Sequence, residues 1–184
     1  ELIDYAKQNP NKLNYAEIGI GSAMHMGMEQ FKFMTKTEIN RVSYRGTAPA
    51  ISDVVAGNVD LMFTGPPSAK SMSEGGKLKV LAVASPERMA LLPDVPTVAE
   101  AGVPGYTMAS WVGLLAPAKT SKSIVGRLAA ETKTAVNNQV FKDRMKSVGV
   151  EVDGGTPAAM LETMRSDTQR WAELIKATGI TIPQ

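Results

Sequence analysis

Apolar and polar positions alternate with two different periods along the first half of the chain. Leu2, Ile3 and Ala6, with Tyr5, share one face of a short helix that Asn9-Pro10-Asn11 stops. Leu13 to Ile18 reads as a strand running into Gly19-Ile20-Gly21-Ser22, after which Met24, Met28, Phe31 and Met34 recur at helical spacing. Ile39 to Tyr44 is again strand-like, with Val42 and Tyr44 alternating against Arg41 and Ser43. Arg45-Gly46-Thr47 then leads into Ala48 to Ala56, where Ile51, Val54 and Val55 share a face. Gly57-Asn58 closes that helix, and Val59 to Phe63 predicts a short buried strand ending at Thr64-Gly65-Pro66-Pro67. Ser68 to Glu74 reads as helix, and Leu78 to Ala84 is the most continuous apolar run, the pattern of a central strand covered on both faces. Such alternation predicts an α/β fold: a parallel or mixed sheet with right-handed crossovers and helices on both sides.

The second half reads differently. Pro86, Pro93, Pro96 and Pro104, with Glu87, Asp94 and Glu100, make the stretch to Tyr106 a surface connector between lobes, with one helical turn at Thr97 to Ala101. Met108 to Ala116, containing Trp111, Val112, Leu114 and Leu115, predicts another buried strand. Ser121 or Ser123 can cap a helix through Val136, a second helix covers Val140 to Val148, and Val150-Glu151-Val152 predicts a strand. Thr156-Pro157 starts the last helix, since Thr is a good N-cap and Pro is tolerated at the first helical position; it runs to Ala177. These helices call for more sheet to cover than the strands of this half supply.

Composition narrows the chemistry. In 184 residues, 43 % are apolar and 21 % charged, which is ordinary globular usage and excludes a disordered class. Twenty Lys plus Arg against eighteen Asp plus Glu leave +2 with no basic run, so no nucleic-acid partner is expected. The absence of Cys excludes disulfides and thiolate catalysis, and the single histidine, His25, caps metal binding; neither a metal nor a cofactor is expected. No stretch approaches the ~18 consecutive apolar residues of a membrane span. The start at Glu1, directly on a helical pattern, suggests a processed or partial chain.

Two loops carry candidate chemistry. Gly19-Ile20-Gly21-Ser22-Ala23-Met24-His25 and Tyr44-Arg45-Gly46-Thr47-Ala48-Pro49-Ala50 each place glycine between strand and helix, with a hydroxyl residue at the expected cap. Unpaired first-turn N–H groups and the positive end of the helix dipole attract a carboxylate or phosphate without Lys or Arg. The plainer alternative is that Ser22 and Thr47 only cap their helices. The first loop has Met24 where a dinucleotide fingerprint needs glycine, and it lacks the Gly-Lys ending of a Walker loop. Ser22 and His25 fall on one helical turn and form a conceivable nucleophile and base, yet no G-x-S-x-G elbow occurs. His25 is either a locally bonded first-turn residue or a pocket-lining donor. The eleven Met fit adaptable core packing better than a soft pocket, Trp111 and Trp171 are expected in the core, and Asp53 with Asp60 has no spacing that specifies acid–base work.

Several segments in order resemble one family. Tyr44-Arg45-Gly46-Thr47-Ala48-Pro49-Ala50 with Asp53, Gly57-Asn58-Val59-Asp60 and Phe63 is similar to the pattern Tyr-x-Gly-x-x-Pro-Ala…Asp…Gly-x-Val-Asp of the Bug, or tripartite tricarboxylate transporter receptor (TctC-like), family of periplasmic solute-binding proteins. Gly76 to Val83, Arg88, Leu92 to Gly102, Trp111 to Pro117, Gly155-Thr156-Pro157, Asn9-Pro10 and Gly21-Ser22-x-x-His25 match its further landmarks. The resemblance implies a periplasmic-binding-protein-like (type II, Venus-flytrap) α/β fold with the N-terminal part of lobe 1 absent. Residues 1–108 would be ligand-binding lobe 2, and 109–184 the crossover strand and C-terminal helices of lobe 1. It implies a periplasmic, non-enzymatic receptor that presents a small carboxylate to membrane transporter subunits of the tripartite tricarboxylate system. By position, Gly21, Ser22, Ala23 and His25 would form one ligand loop, and Gly46, Thr47 and Ala48 the other, with Thr64 in support. The family's opening segment, with its Pro-Pro-Gly-Gly loop, has no counterpart here. Trp111 to Ala116 and the C-terminal helices are therefore expected to pair with another chain, as a homodimer or swapped assembly. The competing class is an α/β hydrolase-like enzyme using Ser22 and His25.

Overall fold

In the computed structural model, which describes residues 1–181, each stretch that pairs as a strand is followed by a glycine-bearing turn. β1 (Asn14–Glu17) lies between β2 (Asn40–Ser43) and β3 (Leu61–Met62), all parallel. The register sets Tyr15 against Arg41 and Leu61, and Ala16 against Val42 and Met62. Successive strand residues point to opposite faces, so Tyr15 and Ala16 found separate cores. On the Tyr15 side, Met28 and Phe31 of α2 (Ala23–Thr35) and Ala6 of α1 (Leu2–Gln8) pack with Ile39, Val98, Val103 and Tyr106. On the Ala16 side, Ala50 of α3 (Thr47–Ala56) and Val59 are buried, with Ile18, Val42, Val54 and Met62 against them. Helices thus cover both faces, as the βα alternation predicts. α4 (Pro66–Glu74) follows β3.

Two sequence expectations fail in this half of the chain, each for want or gain of a partner. Leu78 to Ala84 forms no strand; its sheet-like contact is a parallel bridge from Val83 to Thr97, and Leu81 is exposed. An apolar run becomes a strand only where a neighbour takes its N–H and C=O groups, and hydropathy does not report that neighbour. The Pro-rich stretch from Pro86 is not a surface excursion. Leu92, Thr97, Val98, Val103 and Tyr106 are all buried, and Tyr106 meets Phe31 edge-on and stacks on Phe63 at centroid distances of 6.3 and 6.5 Å. Its hydroxyl donates to the Gly27 carbonyl at 3.0 Å, where a Cβ on Gly27 would press on Met108 at 3.0 Å, so glycine lets this segment sit close on α2. The turn at Thr97 is a capping box: the Glu100 carboxylate accepts from the Thr97 amide at 2.8 Å, and the Thr97 hydroxyl from the Glu100 amide at 3.0 Å.

The chain forms two compact units, Glu1–Ala109 with the residues from Leu174 onward, and Ser110–Glu173. The second holds α5 (Lys122–Val136), α6 (Gln139–Ser147) and most of α7 (Pro157–Thr178). Ser121, Asn138 and Thr156 cap them by accepting from the Ile124, Phe141 and Ala159 amides. None of its residues is buried. Met108 to Ala116 and Val150 to Val152 form no strand: the Met108 amide donates to the Ala84 carbonyl at 2.8 Å and the Val150 amide to the Met145 carbonyl at 2.9 Å, neither within a sheet. Val112 is fully exposed, and Leu114 and Leu115 are 71 % and 68 % exposed. Trp111, expected in the core, is also exposed and donates its indole N–H to Asp167 at 2.8 Å, while Trp171 is half-buried beneath the Arg170 guanidinium. Among the described residues no helix is long and apolar enough to cross a membrane.

Candidate functional site

Parallel strands deliver their following loops to one edge of the sheet, and the order β2-β1-β3 is that of doubly wound sheets, whose ligands bind outside the carboxyl ends. Three corners stand there. The first, Gly19 to Ser22, is largely occupied by its own chain. The Gly19 amide donates to the Glu17 carboxylate, the Ser22 amide to the Gly19 carbonyl at 2.9 Å, and the Gly21 amide to Nδ1 of His25 at 3.1 Å. Ser22 caps α2 by accepting from the His25 amide at 3.2 Å, which leaves the Ala23 and Met24 amides of the first turn without acceptors among the described residues.

The second corner is open. Gly46 precedes α3 with φ at 114°, a conformation that favours glycine, and a Cβ there would meet nothing within 4 Å. No side chain caps α3, so among the described residues the amides of Thr47 and Ala48 have no acceptor, and Pro49 has none to offer. The corner is pinned from outside: the Tyr44 hydroxyl donates to Asp53 at 2.7 Å and Asn58 to the same carboxylate at 3.2 Å. That hydrogen bond raises the Tyr44 pKa and holds the Asp53 carboxyl below its ordinary range. At the third corner, Gly65 leads into Pro66-Pro67, which lack N–H groups, and the Thr64 hydroxyl is shielded from solvent with no partner among the described residues.

All eight expected residues therefore lie along one edge: Gly21, Ser22, Ala23 and His25 at the first corner, Gly46, Thr47 and Ala48 at the second, and Thr64 at the third. Their settings differ. His25 is 2 % exposed, its second ring nitrogen is 3.4 Å from the Arg41 guanidinium, and burial pushes the imidazole below its ordinary pKa, with Glu29 and Glu17 opposing. Its ring bonds the Gly21 amide and not the Ser22 hydroxyl, so the two side chains form no nucleophile–base contact. Asp60 instead accepts from the Asn14 amide at 2.8 Å, a structural bond between strands. Among the described residues no three His, Cys, Asp or Glu gather as metal ligands.

One residue escaped sequence reasoning. Glu17, the last residue of β1, is 3 % exposed, and its carboxylate accepts from the Gly19 amide at the first corner and the Ser43 hydroxyl at 3.0 Å, next to the second. The available signal was an acid ending an apolar strand just before a glycine turn; taken alone it reads as an exposed strand terminus.

Residues 1–180 match the family described as tripartite tricarboxylate transporter family receptor. The chain belongs to this family. A UPF0065 protein in the tcbD-tcbE intergenic region of a Pseudomonas species is 36 % identical over 95 % of this chain and 52 % of its own length. Among solved structures, R. palustris Rpa4515 with adipate is 37 % identical with a TM-score of 0.87, covering 98 % of this chain and 60 % of that one. The periplasmic binding protein BugD is 33 % identical with a TM-score of 0.82, over 97 % and 60 %. The chain thus spans about half the length of that curated relative and 60 % of those structures. The α/β, periplasmic-binding-protein-like fold expected from the sequence is the fold of these neighbours.

Proposed function

We propose that this family member captures a small carboxylate at the carboxyl edge of its sheet and presents it, in the periplasm, to membrane subunits of a tripartite tricarboxylate-type transporter, without chemical turnover. The observation that carries the reading is the uncapped amino end of α3, where among the described residues the Thr47 and Ala48 amides have no acceptor beside the open Gly46 corner. Amides and a helix dipole are an anion site that needs no cation. The amides of Ala23 and Met24 and the shielded Thr64 hydroxyl are further donors on the same edge. The adipate-bound neighbour makes a dicarboxylate of that size a natural first probe. The hydrolase alternative has no support in the Ser22 and His25 geometry, because the His25 ring bonds the Gly21 amide and not the serine hydroxyl.

The test is a matched pair at Gly46. Gly46→Ala and Gly46→Asp both meet the cost of a left-handed conformation, about 1–3 kcal/mol, but only the second adds a like charge. Gly46→Ala is expected to retain stabilisation by adipate in a thermal-shift assay and Gly46→Asp to lose it. Equal retention by both removes this corner from the site. The reading extends to self-association of the receptor through Trp111 to Ala116 and the C-terminal helices; a well-folded monomer at all concentrations in gel filtration removes that part.

A further inference from the structure

We infer that His25 is an acid-sensitive latch on the turn after β1: its neutral ring holds Gly19 to Ser22 folded onto α2, and a proton taken up by that ring releases the turn. The Gly21 amide can only donate, so its 3.1 Å bond to Nδ1 makes that nitrogen the acceptor and leaves the ring proton on Nε2. Nε2 faces the Arg41 guanidinium at 3.4 Å, which is also purely a donor. Once the ring takes a second proton, an N–H at Nδ1 confronts the Gly21 N–H, and the N–H at Nε2 still confronts Arg41. Among the described residues neither nitrogen then has an acceptor, and at 2 % exposure solvent does not reach the ring while the turn stays closed. The turn is the softer partner in this conflict. Gly21 sits in the left-handed region at φ 80°, and its amide has no other acceptor among the described residues.

The groups that act on the ring's charge come from three elements. On α2 itself Glu29 favours protonation and Lys32 opposes it; Glu17 of β1 favours it, and Arg41 of β2 opposes it. Both acids are already engaged, Glu29 by Lys32 and by the Tyr15 hydroxyl, each at 2.8 Å, and Glu17 by the Gly19 amide and the Ser43 hydroxyl. Burial outweighs them and holds the ring below its ordinary pKa, so the latch opens on the acid side of about 6.5. Because the Ser22 hydroxyl accepts from the His25 amide and not from its ring, α2 keeps its cap when the turn opens. The switch is therefore local. On the anion-binding reading above, and resting on it, the released Gly21 amide joins those of Ala23 and Met24 as a donor at this corner; the latch itself requires no ligand.

His25 is the only histidine in the 184-residue sequence, so the titration of its ring is unambiguous. In the full chain, NMR follows the ring and the Gly21 amide together from about pH 7.5 to about pH 5, with exchange at Gly21 corrected for its intrinsic pH dependence. Both are expected to change at one midpoint, Gly21 losing at least about tenfold in protection while the amides of β1 keep theirs. His25→Gln, whose amide oxygen accepts from Gly21 but does not titrate, is expected to abolish the pH dependence at Gly21. Should that variant fail to fold, Arg41→Gln removes the cation beside Nε2 and is expected to raise both midpoints together; midpoints that separate overturn the inference. A Gly21 amide that stays protected while the ring titrates overturns it, as does a Gly21 transition that persists in His25→Gln. So does a ring that stays neutral until the whole chain unfolds, since the turn then has no opening of its own. The Gly46 pair tests anion binding independently, so the two readings fail separately.

Discussion

Gly46 and Ser22 occupy equivalent places in the sequence, each just before a helix that follows a strand, and they end in opposite states. Ser22 carries a hydroxyl that satisfies the His25 amide, whereas Gly46 carries nothing and leaves its helix uncapped. The spacing of glycine and hydroxyl residues made both corners legible; which was open depended on Glu17 and His25, whose side chains fold back on the first loop. Residues that act by folding back on a neighbour leave no periodic trace. His25 has a measurable consequence. Its folded-state pKa is depressed by burial, so the unfolded chain takes up the proton first as pH falls. The stability this neutral ring contributes is whole above its ordinary pKa of about 6.5 and is lost as pH falls from there through the folded value. Urea midpoints of the wild type are expected to drop more steeply between pH 7 and 5 than those of His25→Gln, whose amide oxygen can still accept from Gly21. Parallel curves refute the assignment.

Elements formed where two requirements met, an apolar pattern and a lateral or facing partner. β1 and β2 and all the helices appear within a residue or two of their sequence-predicted bounds, because their caps and glycine turns are local and β1 finds neighbours on both sides. Leu78 to Ala84, with the stronger apolar run, stays irregular. The reverse error, reading 86–106 as a surface connector, arose because four prolines outweighed Leu92, Val98, Val103 and Tyr106, which are spread too irregularly to look like a face. That segment serves as the lid of the first core. Tyr106→Ala is accordingly expected to cost about 3–5 kcal/mol in chemical denaturation, since the ring touches Phe31 and Phe63 and its hydroxyl reaches Gly27. A loss under 1 kcal/mol means that 86–106 is not integral to this core.

On the scale of the whole molecule, packing is divided unequally. The unit built on the sheet owns both buried clusters, and Ser110–Glu173 owns no buried residue, so its helices rest on caps and local ion pairs such as Arg170 with Asp167. Short helices with so little burial are marginal in water. Hydrogen exchange on the isolated chain is expected to protect the amides of β1 and of the middle of α2 by several orders of magnitude more than those of α5 and α6; comparable protection of both sets refutes this division. The helices of the second unit were legible from their caps alone. Its lack of burial was not, since hydrophobic residues at helical spacing announce a face without saying what meets it.

The irregular stretch from Ser110 to Ala116 has a practical consequence. Among the described residues its main-chain groups take part in no hydrogen bond, and its leucines and valine stand in water, the combination from which edge-to-edge stacking grows. A stock of this polypeptide carries its own concentration ceiling: light scattering will climb with storage time at high dose, and swapping Leu114 for lysine should lift that ceiling while leaving the sheet's carboxyl edge as it was.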